Sequence, residues 1–80
     1  MKARVTVRLK DGVLDPQGKA IEAALAALGF KGVAAVRQGK VFDVDIAEGD
    51  PAKAKAALAQ MAEKLLANTV IETYDVAIDK

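Results

Sequence analysis

Two carboxylates, Asp43 and Asp45, stand two residues apart in a stretch with the alternation of a strand, so both side chains point to the same side. Such a pair can bind a divalent cation. If this strand lies beside the N-terminal one, Arg4 and Arg8 come close to the same carboxylates. Cross-strand charge pairing, which contributes about 0.2–1 kcal/mol per pair, is therefore favoured over a metal site.

A second group of residues combines a lysine, two glycines and a helix start. The run from Lys10 to Gly18 has the ingredients of an anion site, because a helix N-terminus and a nearby cation both attract negative charge. The run lacks the spacing of a phosphate loop or of a dinucleotide fingerprint, and Asp15 occupies the position where an anion would bind. An N-capped helix entered through a turn is the favoured interpretation.

A third group, Arg37, Gly39 and Lys40, surrounds a predicted hairpin turn. The two cations could form a basic tip that grips a phosphate or an acidic surface of a partner. Equally, Gly39 permits the turn and the cations keep it soluble. The pattern leaves both interpretations open.

The residue types that are missing limit the chemistry. The 80 residues contain no histidine and no cysteine, so imidazole bases, thiol nucleophiles and zinc or iron–sulfur ligation by these side chains are excluded. We expect no catalytic, cofactor or metal residues on this chain. A net charge of +1 gives no reason to expect nucleic acid or membrane as a partner, and we expect a cytoplasmic protein.

The elements that position these groups follow from apolar spacing. Residues 2–10 alternate strictly and predict a strand. Asp15-Pro16 and Asp50-Pro51 each read as an N-cap followed by proline, so a helix is expected after each. The predicted buried stripes are Ile21, Ala24, Leu25 and Leu28 in the first helix and Ala54, Leu58, Met61 and Leu65 in the second.

Three further strands complete the prediction. Residues 33–36 and 41–46 read as a hairpin around Gln38-Gly39, and residues 70–78 as the last strand, with Val70, Tyr74, Val76 and Ile78 on one face. The order strand, helix, strand, strand, helix, strand predicts an α+β, ferredoxin-like sandwich. One domain would span residues 1–80, with a four-stranded antiparallel sheet and both helices on one face.

Three blocks of the sequence resemble the PurS family. The first and most specific is Leu9-Lys10-Asp11-Gly12-Val13-Leu14-Asp15-Pro16-Gln17-Gly18. The second, Val36-Arg37-Gln38-Gly39-Lys40, is similar to the family's hairpin. The third runs from Lys64 to Glu72 and is similar to its second helix end and last strand. Together the blocks identify the chain as a member of this family.

The resemblance implies a non-catalytic subunit of phosphoribosylformylglycinamidine (FGAM) synthase, a ligase of purine biosynthesis. Such a subunit bridges the PurL synthetase and the PurQ glutaminase and supports ammonia transfer, while the partners use ATP, Mg and glutamine. It also implies a dimer or a dimer of dimers, for which a bare sheet face or an edge strand gives a physical reason. We expect the partner contacts among Lys10, Gly12, Val13, Leu14, Asp15, Pro16, Gln17, Gly18, Arg37, Gly39 and Lys40.

Two alternatives share the same element order. An ACT-like regulatory module would bind a small molecule such as an amino acid between paired subunits, but no ligand pocket is evident from the pattern. An acylphosphatase-like enzyme would need an arginine and an asparagine beside the phosphate. The one asparagine, Asn68, lies at a predicted helix end, which disfavours that activity.

Overall fold

The structure, a computed structural model, describes residues 1–79, and its central element is the N-terminal strand. Strand β1 alternates as predicted, with Ala3, Val5 and Val7 buried on one face. Its neighbours on both sides are antiparallel, in the order β2-β1-β3. The strands span Lys2–Leu9 (β1), Gly39–Asp45 (β2) and Glu72–Asp79 (β3).

The two helices begin where the sequence predicts. Helix α1 spans Pro16–Ala27 and helix α2 spans Pro51–Met61. Each starts with proline after an aspartate cap, because proline fixes the backbone for the first helical turn and lacks only an N–H that would find no partner there. After α1, Gly29 adopts φ +94°, the left-handed conformation that glycine reaches without steric cost.

The core forms where α2 packs on the sheet. Ala54, Leu58 and Ala62, spaced by four residues, are fully buried, and the last two pack with the inward side chains of β1. The prediction that Met61 and Leu65 belong to the core is wrong, since Met61 is exposed and Leu65 retains 84% of its accessible surface. A π-helical turn over Ala62–Leu66, closed by the amide of Ala67 on the carbonyl of Ala62 (2.8 Å), rotates Leu65 outwards.

The predicted hairpin and its strand over residues 33–36 are not present. Within residues 1–79 the sheet has three strands, and Gly39 begins β2 instead of forming a turn. The amide of Val36 donates to the Glu22 carboxylate on α1 (3.1 Å), which holds this segment against the helix and away from the sheet. The α+β class, two helices and an antiparallel sheet are confirmed, but a four-stranded ferredoxin-like sheet is not observed.

Helix α1 does not cover the sheet, which is a further correction. Among the described residues it makes at most marginal contact with any strand or with α2. Its predicted stripe is therefore not buried, and Leu28 keeps 73% of its surface. We call α1 together with the chain that returns from it, residues 16–38, the arm. No strand at 33–36 brings the chain back beside β2. The arm therefore contributes to the length of the molecule, whose longest dimension is 48 Å.

The last strand begins later than predicted. Asn68 accepts the amides of Ile71 and Glu72 through its carbonyl and that of Val70 through its side chain, so residues 68–71 form a turn. Val70 is exposed there and does not share the inward face of β3. Tyr74 is half-buried, as predicted, with its hydroxyl donating to Glu63 (2.9 Å). None of the helices within residues 1–79 has the length and apolar character needed to cross a bilayer.

Candidate functional site: the junction between the arm and the sheet

The two sequence blocks expected to contact partners meet at one place. The loop from Lys10 to Gly18 leads from β1 into α1, and residues 36–40 lead from the arm back into β2. We call these two segments together the junction. The loop is anchored to the sheet end by the amide of Lys10, which donates to the carbonyl of Ile71 (2.8 Å), and it turns back through a bond from Val13 to Lys10 (3.1 Å).

Asp15 is the centre of the junction. Its side chain accepts the amide of Gly18 at 2.8 Å, the N-cap bond of α1, and the amide of Gln38 at 2.7 Å, which belongs to the other segment. Asp15 retains only 5% of its accessible surface. The bonds from Gln38 and Gly18 stabilise the charged carboxylate and lower the pKa of Asp15. One ionised group therefore holds both ends of the arm.

Gly18 allows the two segments to come this close. A Cβ built on Gly18 would lie 2.2 Å from the carbonyl oxygen of Val36 and 3.0 Å from the Asp15 side chain. A backbone carbonyl cannot move aside as the tip of a flexible side chain can. The returning chain thus packs directly on the first turn of α1, and glycine is the residue that fits between them.

Arg37 connects the same two segments on the exposed side of the junction. Its guanidinium donates to the carbonyl oxygen of Val13 (2.8 Å) through Nη1 and to that of Lys10 (3.1 Å) through Nη2. Lys40 lies 3.6 Å from Glu72 on β3. Within residues 1–79 no turn separates these cations, so the hairpin on which both interpretations of them rest is not formed, and each cation has a partner within the chain.

Gly39 has a second close approach. It lies opposite Arg8 at the start of β2, and an added Cβ would come within 2.7 Å of the carbonyl oxygen of Val7. Its role is close contact with β1 and not the permissive turn that the sequence suggested.

Most of the candidate contact residues of the junction are exposed. Asp15 and Gly18 are buried and Val13 is partly so, whereas the others are exposed: Lys10, Gly12, Leu14, Pro16, Gln17, Arg37, Gly39 and Lys40. A depression of about 190 Å³ lies between the segments and is lined by Leu9, Asp15, Gln17, Gln38, Gly39, Lys40 and Glu72. The carboxylates of Asp15 and Glu72 and the amine of Lys40 in this depression already have partners within the chain. Its lining contains no nucleophile with an adjacent base.

The carboxylates on the open sheet face form ion pairs in part as predicted. Asp43 accepts from Arg4 at 2.9 Å, which confirms the expected cross-strand pair. Arg8 lies 3.9 Å from Asp75 on β3 and not near Asp45, whose nearest cation is the amino terminus at 3.6 Å. Arg8 does not pair with Asp45 because the register places Arg8 opposite Gly39 on β2 and Thr73 on β3.

Three contributors to the junction were missed at the sequence level. Gln38 and Val36 act through backbone amides and carbonyls, which every residue type carries, so no sequence signal could reveal them. Glu22 does carry a signal: it lies four residues after Gly18, on the same face of α1. That spacing marks the side of the helix against which the returning chain lies.

The comparisons with known proteins agree with the resemblance. The family model described as PurS: Phosphoribosylformylglycinamidine (FGAM) synthase matches residues 2–80. The chain belongs to the PurS family. It is 47% identical to the phosphoribosylformylglycinamidine synthase subunit PurS of Archaeoglobus fulgidus, with 95% of each chain covered. It is 48% identical to that of Mycobacterium leprae over 94% of this chain and 91% of the relative.

Solved structures of the PurS family share the fold. PurS of Methanocaldococcus jannaschii, described as one of the subunits of formylglycinamide ribonucleotide amidotransferase, matches with a TM-score of 0.90 and 42% identity, over 99% of this chain and 95% of that one. A chain in a structure of PurLQS from Thermotoga maritima matches with a TM-score of 0.86 and 30% identity, over 95% and 93%. These matches cover at least 95% of this chain, so they include at least most of the arm.

The close approach at Gly18 predicts the effect of one added methyl group. Gly18→Ala should lower the free energy of unfolding by about 1–3 kcal/mol, because the new Cβ overlaps the Val36 carbonyl. The measurement is urea unfolding followed by circular dichroism. Gly49→Ala is the matched control, since a Cβ there meets no atom within 4 Å. Equal stability of the two variants would contradict the packing at Gly18.

The lowered pKa of Asp15 predicts an acid-sensitive junction. A group with a depressed folded pKa stabilises the fold above its unfolded pKa of about 3.9, and this contribution is lost as the pH falls through the folded value. Asp15→Asn should lower the melting temperature at pH 7 by about 4–8 °C, and the loss between pH 5 and pH 2 should be smaller than in the parent.

Asp50→Asn serves as the control for that pH series. Asp50 caps α2 through a single bond to Ala52 (3.0 Å), is exposed, and joins no second segment. If Asp15→Asn and Asp50→Asn flatten the acid dependence to the same extent, the special role of Asp15 is refuted.

Proposed function

We propose that this chain is the small, non-catalytic subunit of an FGAM synthase in purine biosynthesis, and that it assembles with PurL and PurQ subunits and with copies of itself. Membership of the PurS family over residues 2–80 carries the proposal. The chemistry of the chain supports it, since a sequence without histidine or cysteine offers no imidazole or thiol to hydrolyse glutamine. ATP, Mg and glutamine would be used by the partner subunits.

The similarity to a chain within PurLQS supports the assembly part of the proposal. A subunit without its own chemistry contributes by positioning others, and support of ammonia transfer between glutaminase and synthetase is such a role. We place this activity in the cytoplasm. The relatives described above are all PurS subunits, so the amino-acid-binding alternative is not favoured.

The exposed side chains of the junction are the proposed partner contacts. Leu14 supports this assignment best, because a leucine with 68% of its surface exposed gains from burial against another protein. Gln17 and Lys40 line the depression of the junction and are exposed. Asp15, Gly18 and Arg37 contribute by holding this surface in shape. The four-stranded, ferredoxin-like arrangement remains part of the proposal, for the assembled protein and not for the single chain.

Reconstitution tests the coupling role. PurL and PurQ subunits from the organism that encodes this chain are mixed with and without it, and formation of the amidine product is followed with glutamine or with ammonia as the nitrogen source. Glutamine-dependent turnover should require this chain, whereas ammonia-dependent turnover by the synthetase alone should not change. Full glutamine-dependent activity in its absence would overturn the proposal.

A substitution at Leu14 tests the contact surface. Leu14→Glu should weaken binding to the PurL and PurQ subunits by about tenfold or more, because a charge replaces an apolar side chain in a contact region. Binding is measured by titration calorimetry, and circular dichroism verifies the fold. Val70→Glu, an exposed apolar residue in the turn before β3, is the control. Unchanged affinity of Leu14→Glu would exclude this face of the junction.

A further inference from the structure

The third block that resembles the PurS family, Lys64 to Glu72, has no part in the proposed contact surface, yet the structure brings its end to the junction. The amide of Lys10 donates to the carbonyl of Ile71 (2.8 Å), and the ammonium of Lys40 lies 3.6 Å from the Glu72 carboxylate. Glu72 also lines the depression of the junction. All three blocks therefore meet at the same end of the sheet.

Glu72 is fixed by the turn that precedes β3. Its Oε1 atom accepts the amide of Asn68 at 2.6 Å, and its own amide donates to the Asn68 carbonyl at 2.7 Å. Asn68 is itself held in place, because its side chain accepts the amide of Val70 (3.2 Å). The Glu72 side chain keeps only 12% of its accessible surface. One carboxylate oxygen thus belongs to the turn, and the other, Oε2, is the one near Lys40.

The ion pair between Lys40 and Glu72 crosses the central strand. Lys40 on β2 lies opposite Val7, and Glu72 on β3 lies opposite Leu9, so both side chains are on the face of the sheet that carries α2. Strand β1 separates the two strands that the pair connects. A lysine ammonium without a partner moves freely on its flexible four-carbon stem. The pair restricts the Lys40 ammonium to the rim of the depression.

Lys40 keeps the capacity to bind a second group. An ammonium has three donors and no acceptor. Within residues 1–79, Glu72 is the only carboxylate that forms an ion pair with Lys40, and 56% of the Lys40 side chain remains accessible. The donors that Glu72 does not use are therefore open to acceptor oxygens of another protein. A cation that is held in place before binding loses less conformational freedom on binding than a mobile one.

We propose that Glu72 is a positioning residue of the partner-contact surface. It holds the Lys40 ammonium at the rim of the junction, where the remaining N–H groups donate to carboxylate or carbonyl oxygens of a partner subunit. Because the Glu72 side chain is itself enclosed, it acts on the partner only through Lys40. The inference rests on the proposed function, since it requires that PurL or PurQ binds at the junction. It gives the third block a part in the same contact surface.

A double-mutant cycle tests the proposal, with the affinities for the PurL and PurQ subunits measured by titration calorimetry. Lys40→Met keeps an unbranched stem without the ammonium and should weaken binding of at least one partner by about tenfold. Glu72→Gln keeps an oxygen for the Asn68 amide but loses the charge, and should weaken the same binding by about threefold to tenfold. In the Lys40→Met background, Glu72→Gln should have no further effect, because the ammonium that it positions is absent.

The salt dependence of binding identifies the partner's acceptor. If it is a carboxylate, parent binding should weaken more between about 50 mM and 500 mM NaCl than binding of Lys40→Met, since salt screens the charge pair. If it is a carbonyl, the two proteins should respond to salt alike. Both results support the proposal when the cycle has the expected form, and they differ only in the chemistry of the group that Lys40 meets.

Asp75→Asn is the matched control. Asp75 lies on the same strand as Glu72 and pairs with Arg8 (3.9 Å), but on the opposite face of the sheet. This variant should bind both subunits with the affinity of the parent. If Glu72→Gln weakens binding equally with Lys40 and with methionine at that position, Glu72 acts on the fold and not through Lys40. That result, or unchanged affinity of Lys40→Met, overturns the proposal.

The positioning role can fail separately from the proposed function. The coupling role is measured as glutamine-dependent turnover with both partner subunits, whereas the cycle measures affinity. Turnover that requires this chain, together with variants of Lys40 and Glu72 that bind as tightly as the parent, would refute the positioning role and leave the coupling role in place. A parent that binds neither subunit would refute the assembly on which both depend.

Discussion

The position of the arm depends on one carboxylate. Asp15 accepts one amide from the helix it caps and one from a residue 23 positions later in the chain. An N-cap normally satisfies only its own helix, but here the second oxygen connects the start and the end of the same excursion. Because the group is nearly excluded from solvent, neither amide has water as a ready substitute. Gly18 supports the same connection by allowing the two segments close contact, and Arg37 supports it by donating to backbone carbonyls of the opposite segment.

The body of the molecule follows from a second constraint, the small size of its core, in which Val5, Val7 and Leu58 are the largest fully buried side chains. Strand β1 lies between β2 and β3 and contributes three of the buried residues, and Leu58 of α2 and Ala62 of the π-helical turn pack on them. A core this thin cannot also accommodate an extra helix from the same chain when the junction directs that helix elsewhere. The apolar stripe of α1 is thus left uncovered in the single chain. For a chain of this size, association is the usual way to gain the burial that one core cannot supply.

The polar features fit a role in assembly. The carboxylates and cations of the open sheet face neutralise one another across strands at exposed positions, where such pairs add little stability but keep an uncovered face soluble. The junction's Lys40 and Asp15 have partners within the chain. This agrees with membership of the PurS family, in which the partner subunits carry out the reaction.

The elements whose causes are local could be predicted from the residues alone. Alternation in residues 2–10 and the aspartate-proline pairs at both helix starts act through neighbouring residues, and the structure reproduces each of them. The PurS resemblance likewise rested on contiguous blocks. Three features could not be predicted in this way: the lack of a strand at 33–36, the exposure of Leu28 and Leu65, and the contact of Asp15 with Gln38. These depend on backbone groups that every residue carries and on the direction in which the arm leaves the sheet. Periodicity shows that a face is apolar, but it does not show which surface will cover it.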